Sequence, residues 1–204
     1  MRHYMAAILL AIATLPIQAQ EQVTLRNAFA DAPDRIFPLL TRNNRLDCLD
    51  FAEGKVDMEV KNRVDGTTRI DSLTDDYLRV QMSPKSRTEV RLLPATEQEG
   101  QRLCVIHTCM GPAQDSQVTL YDSHWQLLGQ VFRPRAAAFT DGQLSHETLG
   151  LLTDLSLMWA AFTPDGQSLV WTLDTTELNR KQRREAEGHL HTIITPITTR
   201  PYSK

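Results

Sequence analysis

Four aspartates in two short segments have the types and spacing that best suit acid-base chemistry. Asp47 and Asp50 lie three residues apart, and Asp75 and Asp76 are adjacent. Two carboxylates in different environments can act as general acid and general base. Aspartate also favours helix starts and turns, so local structure explains the same residues. A small hydrolase or transferase that works through these carboxylates is therefore one hypothesis.

Histidine and cysteine at alternate positions give two further candidate sites. On a strand, His189 and His191 would place two imidazoles about 7 Å apart on one face, which suits metal binding when a carboxylate joins them. The alternative is an exposed pair at a helix end, where imidazolium is electrostatically favoured. His107 and Cys109 have the same spacing, which can support a thiolate and its base. The apolar segment around them favours packing instead.

The motifs with the best-defined catalytic mechanics are missing from the sequence. It has no Gly-rich phosphate loop, Cys-x-x-Cys, His-Glu-x-x-His or Gly-x-Ser-x-Gly. The sequence therefore predicts no cofactor and no metal. Trp125, Trp159 and Trp171 could stack on a sugar if they were exposed together, but aromatic rings more often fill cores.

The length, composition and net charge of the chain exclude several classes of protein. The chain has 204 residues with 41% hydrophobic residues, enough for one domain with a real core and too apolar for disorder. A formal charge of −3 provides no broad cationic field, which argues against nucleic acid as a partner.

The N-terminus has the pattern of a secretory signal peptide. Arg2 precedes an apolar run over residues 5–15, and the small Ala19 follows at a plausible cleavage point. The run is shorter than the roughly 20 helical residues that cross a bilayer. We predict a signal peptide at 1–19 and a single globular domain at 20–204, with no stable membrane span after cleavage. The mature protein is expected to be periplasmic or secreted.

Export gives the three cysteines access to oxidising conditions. Cys104 and Cys109 lie on one predicted strand, about 16 Å apart, so they cannot bond to each other. Cys48 with one of these two is the only disulfide that the sequence allows, and three buried free thiols are the alternative.

The N-terminal quarter is helical. Thr24 begins one helix, Thr41 can cap another, and Gly54 is a natural stop after its last turn.

From residue 56 the apolar pattern changes to a period of two, with the hairpin signal Asp65-Gly66. In residues 103–110 both the odd- and the even-numbered positions are mainly apolar. This pattern predicts a central strand of the sheet that is covered on both faces. A capping box at Asn179 predicts a C-terminal helix before a last strand at residues 192–197. The predicted fold class is α+β: N-terminal helices packed on a mainly antiparallel, twisted sheet of about eight strands, then a C-terminal helix and a last strand.

Three blocks carry a family resemblance. They are FPLLTRNNRLDCLDF at residues 37–51, DGTTRIDSLTDDYL at 65–78 and GPAQDS at 111–116. They resemble the Bacteroidales domain-of-unknown-function family 3256. The resemblance implies a secreted protein of about this length with a signal peptide and no assigned activity.

Export, a strand-rich fold and missing catalytic motifs favour a non-catalytic cell-envelope module that binds an envelope protein or polymer. A hydrolase or transferase on an envelope glycan or peptide, and a carrier of a small ligand, remain open alternatives. The candidate binding residues are polar groups of the first two blocks: Arg42, Arg45, Asp47, Asp50, Asp75 and Asp76.

Overall fold

The computed structural model describes residues 23–199 as three layers. Two N-terminal helices cover one face of a seven-stranded sheet, and a three-stranded sheet with two further helices covers part of the other face. The predicted signal peptide at residues 1–19 lies outside the described residues.

The N-terminal helices begin and end where side chains satisfy their free backbone groups. Thr24 accepts a hydrogen bond from the backbone of Asn27 at the start of α1 (Leu25–Ala30). Thr41 and Asn44 form a reciprocal capping box at the start of α2 (Arg42–Glu53), which ends at Gly54. The predicted helix start at Thr24 and the predicted cap at Thr41 are confirmed.

The large sheet is an antiparallel meander whose strand order follows the chain from β1 to β7. Its strands are β1 (Val60–Lys61), β2 (Thr67–Leu73), β3 (Tyr77–Ser83), β4 (Ser86–Leu93), β5 (Arg102–Met110), β6 (Gln114–Asp122) and β7 (Leu127–Gln130). Consecutive strands pair because short turns join them, which keeps each new pairing local.

The small sheet has the order β10-β9-β8 and is also antiparallel. A 3-10 turn (Ala136–Phe139) and α3 (His146–Leu155) precede it, and the remaining elements are β8 (Met158–Phe162), β9 (Ser168–Leu173), α4 (Arg180–Ala186) and β10 (Ile193–Pro196). Ser145 caps α3, and Asn179 forms the predicted capping box of α4.

Alternate residues of β5 enter two separate cores. Leu103 and Val105 face the helices on what we call the first face, where Phe29, Phe37 and Trp125 also pack. Cys104 and Ile106 point the other way, to the second face, against the small sheet. The prediction that this strand is covered on both faces is confirmed.

The α+β class with N-terminal helices, an antiparallel sheet and a C-terminal helix before a last strand is confirmed. The described residues form ten strands in two sheets, whereas about eight in one sheet were expected. The difference arises because Met158–Phe162 crosses β5 and β6 face to face instead of pairing at the edge of the large sheet.

The prediction of a strand at residues 56–60 was wrong for residues 56–59. The backbone N–H of Val56 bonds to the carbonyl of Phe51 at the helix end, so the chain is still turning there. Val56 and Met58 are exposed, and pairing with β2 begins only at Val60.

Candidate functional site

The predicted binding residues of α2 divide into exposed and buried groups. Arg42 is exposed and pairs with Asp31 at 2.9 Å, and Asp47 and Asp50 also lie on the exposed side of the helix. Arg45 is only 3% exposed. Its guanidinium donates to the carbonyls of Ala30 and Leu40, each at 3.2 Å.

Arg45 thus ties α2 to the chain that follows α1. Its remaining contact is an ion pair with Asp34, whose pKa is held below its usual range by hydrogen bonds from Arg63 and Arg45. A partner that binds this helix would meet Arg42, Asp47 and Asp50, while the charge of Arg45 is used inside the protein.

Asp75 and Asp76 occupy the exposed turn between β2 and β3. Asp76 accepts hydrogen bonds from Thr74 at 3.0 Å and from Arg91 at 2.7 Å. These two carboxylates and the two of α2 therefore belong to different elements, and all four are exposed. Asp75 and Asp76 have turn positions, whereas Asp47 and Asp50 are exposed residues within α2, and this separation argues against paired acid-base chemistry.

His107 and Cys109 share the first face at the end of β5, where the helical cover stops. They line an open cleft of about 370 Å³ together with Thr88 and Gln117. His107 Nδ1 lies 2.9 Å from Thr88 Oγ1, and burial lowers the pKa of the imidazole, which favours its neutral form.

The three cysteines are free in the structure. Burial, reinforced by Asp47, raises the pKa of the Cys48 thiol to about 12, and burial also raises the pKa of Cys104. These two thiols are inert packing groups, as the sequence allowed. Cys109 is exposed, so the expectation of three buried thiols was wrong for this residue. It lies beyond the helices that cover the rest of the strand's first face.

His189 and His191 follow α4 and lie outside the strands, with His189 half-buried and His191 exposed, which agrees with the interpretation as a pair at a helix end and not with a metal-binding pair on a strand. His189 follows the turn after α4, and its Nδ1 lies 2.9 Å from Asp141 Oδ2. Across the described residues, no cluster of three or more His, Cys, Asp or Glu side chains is arranged to hold a metal ion.

The tryptophans do not form one exposed platform. Trp125 is buried in the first core, where its indole N–H donates to the carbonyl of Ala28 at 3.0 Å. Trp171 is buried in the second core and donates to Thr195. Trp159 alone is half-buried. The core interpretation is confirmed for the first two.

The strongest polar cluster was missed by the sequence reasoning. It lies on the second face of β3 and β4, and we call it the arginine patch: Tyr77, Arg79, Arg87 and Glu89. The cross-strand register places Arg79 opposite Glu89. The small sheet packs on β5 and β6 and reaches this region through Phe162, whose ring contacts Tyr77 edge-on.

Glu89 is the centre of the arginine patch and is only 2% exposed. Tyr77 donates its hydroxyl to Oε2 at 2.5 Å. Arg87 Nε and Arg79 Nη2 lie 3.0 and 3.8 Å from Oε1. Burial and the bond to Glu89 raise the pKa of Tyr77, so it stays a protonated donor. A buried carboxylate thus fixes two guanidinium groups at a surface.

Polar and apolar residues alternate along β3 and β4, and this pattern could have indicated the cluster from the sequence. Polar residues at 77, 79 and 81 and at 87, 89 and 91 share the parity opposite to the apolar core positions, so one face of both strands had to be polar. The register that brings the opposite charges together came only with the structure.

None of the helices in the part of the chain that the structure describes is long and apolar enough to cross a membrane.

The chain is similar in fold to a solved domain of an uncharacterised protein from Porphyromonas gingivalis W83. The TM-score is 0.69 at 18% sequence identity, over 86% of this chain and 95% of that one. No curated protein matches the chain. In the comparison with protein families, residues 14–196 match the family described as a protein of unknown function, DUF3256. This match covers most of the sequence and confirms the resemblance of the three blocks, so the chain belongs to the DUF3256 family.

Proposed function

We propose that this chain is an exported, non-catalytic binding protein of the cell envelope, periplasmic or secreted, that holds its partner on the arginine patch. The proposal includes removal of residues 1–19 and a single mature domain at 20–204. The observation that carries it is the buried Glu89, which holds Arg79 and Arg87 at the edge of the small sheet.

The arginine patch is prepared for binding before any partner arrives. The paired strands β3 and β4 carry both arginines, and each guanidinium lies within ion-pair distance of Glu89 Oε1. Because an ordered side chain loses less conformational entropy on binding, such a patch binds more tightly than free surface arginines would. Burying a charge costs desolvation energy that an exposed surface pair does not incur, so the buried Glu89 makes this patch a better candidate than an ordinary surface pair.

The other two hypotheses receive less support. The predicted carboxylates are exposed on separate elements, whereas a catalytic pair needs a shared cleft and different environments. For a carrier of a small ligand, an enclosed apolar cavity is needed. The leucine-lined cavity between α3 and Leu178 has only about 10 Å³, room for about one water molecule.

In-cell cross-linking of the full chain in its source organism tests the binding role. We would compare the wild type with Arg79→Glu and with Arg42→Glu, an exposed arginine of α2 that serves as the matched control. We expect one stoichiometric partner that is lost with Arg79→Glu and retained with Arg42→Glu. Loss only with Arg42→Glu would move the site to α2, and the absence of any partner would refute the binding role.

The export part has its own test. Mass spectrometry of the protein from the periplasmic and extracellular fractions should show an N-terminus at Gln20. Recovery of the chain from the cytoplasm with Met1 or Arg2 at its start would refute export.

A further inference from the structure

The buried side-chain nitrogen and oxygen atoms of the described residues that lack a hydrogen-bond partner all lie on one face of the large sheet. Within residues 23–199 they are Arg79 Nε, Arg87 Nε, Glu89 Oε1, Arg91 Nε and Arg102 Nε. The register of β3, β4 and β5 places all five residues on the second face. Buried polar groups are nearly always paired in native proteins, so a concentration of unpaired ones needs a physical reason.

Two of these arginines already have partners for their terminal nitrogens. Arg91 donates to Asp76 at 2.7 Å and lies over the rings of Tyr77 and Phe162. Arg102 pairs with Glu99 at 2.5 Å. Their terminal N–H groups are therefore engaged by the protein itself.

Arg79 and Arg87 are different because they share one carboxylate. Both approach Oε1 of Glu89, at 3.8 and 3.0 Å, and neither Oε1 nor Arg87 Nε completes a hydrogen bond. The side chain of Arg79 is 39% exposed and that of Arg87 17%, so each reaches the surface. A guanidinium has five N–H donors, and a single carboxylate oxygen cannot satisfy two such groups.

The charges around the two arginines leave a positive excess. Two guanidiniums face one carboxylate, and Tyr77 stays neutral as the donor to that carboxylate. The next arginine along the sheet, Arg69, is paired with Asp71 at 2.8 Å and with Glu59 at 3.5 Å, so this neighbouring group carries one negative charge, and both of its carboxylates contact Arg69. The arginine patch by itself carries one positive charge, which one further carboxylate in contact with Arg79 and Arg87 would balance.

On this basis, and resting on the binding function proposed above, we propose that Arg79 and Arg87 together bind a singly charged oxyanion, a carboxylate group of the partner. Guanidinium forks match the planar, two-oxygen geometry of a carboxylate. Glu89 acts as a positioning residue that keeps the two forks side by side.

The test uses acetate as the probe and the arginine Nε–H NMR signals of the full chain as the readout. We expect saturable shifts at Arg79 and Arg87 with acetate, and none with chloride at equal ionic strength. Glucuronate as a second probe separates a sugar-borne carboxylate from a free one, because added contacts would make it bind more tightly than acetate. Equal affinity for both probes would assign the site to the carboxylate alone.

Matched variants decide whether the two arginines form the site. Arg79→Gln and Arg87→Gln should each weaken acetate binding at least tenfold, while Arg42→Gln should leave it unchanged. Because Arg87 is mostly enclosed, Arg87→Lys serves as a second variant that keeps the charge and loses the fork; it should also weaken binding if the fork matters. Shifts of the same size in chloride, or binding that survives both glutamine variants, would overturn the proposal.

The outcomes separate this inference from the proposed function. A cross-linked partner that is lost with Arg79→Glu, in a protein that does not bind acetate, refutes the carboxylate and leaves the binding role intact. Acetate binding without any cross-linked partner refutes the binding role and leaves the anion site.

Discussion

The two faces of the large sheet are covered in different ways. The first face is covered by α1, α2 and the chain between them, and its core includes an edge-to-face pair of Phe29 and Phe37 with centroids 4.8 Å apart. The second face is apolar over β5 and β6, under the small sheet, and charged over β3 and β4. The same strands therefore contribute to a closed core on one side and to a prepared polar surface on the other.

If the arginine patch binds a partner, as proposed above, this difference places the binding surface on the second face. On the first face the helices leave an open cleft at the end of β5, beside His107 and Cys109, whereas on the second face the three-stranded sheet is too narrow to cover all seven strands. The polar residues begin where the narrow cover ends, and a buried carboxylate there is retained despite its desolvation cost.

The two cores should be equally essential. Phe37 in the first core and Phe139 in the second are both fully buried. We expect Phe37→Ala and Phe139→Ala each to lower the free energy of unfolding by about 3–5 kcal/mol, because each deletes a large side chain from a packed interior. Urea denaturation measures both. If the mature chain is one domain, each variant should shift a single common transition; two separate transitions would contradict that prediction.

The packing of α2 against the neighbouring chain should depend on the buried Arg45. Arg45→Met should cost about 2–3 kcal/mol, because it leaves the carbonyls of Ala30 and Leu40 without their donor. Arg42→Met, the control on the same helix, should change stability by less than about 1 kcal/mol because its ion pair is exposed. Equal effects in chemical denaturation would show that Arg45 is not a structural residue.

Both the stability of the protein and the binding of acetate at the arginine patch should change when Glu89 loses its charge. Glu89→Gln keeps the shape of the side chain and removes its charge, so we expect a loss of about 1–2 kcal/mol from its weakened hydrogen bond and ion pairs. The same variant should also bind acetate less tightly, because Arg79 and Arg87 lose the ion pairs that position them. Tighter acetate binding would show instead that Glu89 only offsets the positive charge and does not position the arginines.

The smallest effect should be a pH dependence at the edge of the first face. Burial lowers the pKa of His107, so the unfolded chain binds a proton more readily than the folded one. Stability is therefore expected to rise with pH between the lowered pKa and the unfolded value of about 6.5, and to fall on acidification through that window.

Thermal unfolding of the wild type and of His107→Gln at pH 7.5 and 5.5 measures this contribution. The wild type should lose more stability over this range than the variant. Identical losses would show that His107 titrates freely. The aspartates with lowered pKa, such as Asp34 and Asp141, lose their contribution only at more acidic pH.

The amino-acid sequence by itself determined the elements and their ends. The caps at Thr41 and Asn179 and the central strand at residues 103–110 could be predicted, because capping and periodicity depend on neighbours along the chain. The family followed from local blocks of residues. The strand β7 was missed because its Leu127 and Leu128 are exposed and show no alternation.

Only the tertiary structure decided which surfaces are covered and which charges meet. The sequence suggested Arg45 as a surface binding residue. In the fold it is buried and donates to the carbonyls of Ala30 and Leu40, which lie outside its own helix. Tyr77 and Glu89 are twelve residues apart and meet only through the register of β3 and β4. Local patterns fix periodicity and caps, whereas register and the packing of one sheet on another depend on contacts between distant residues.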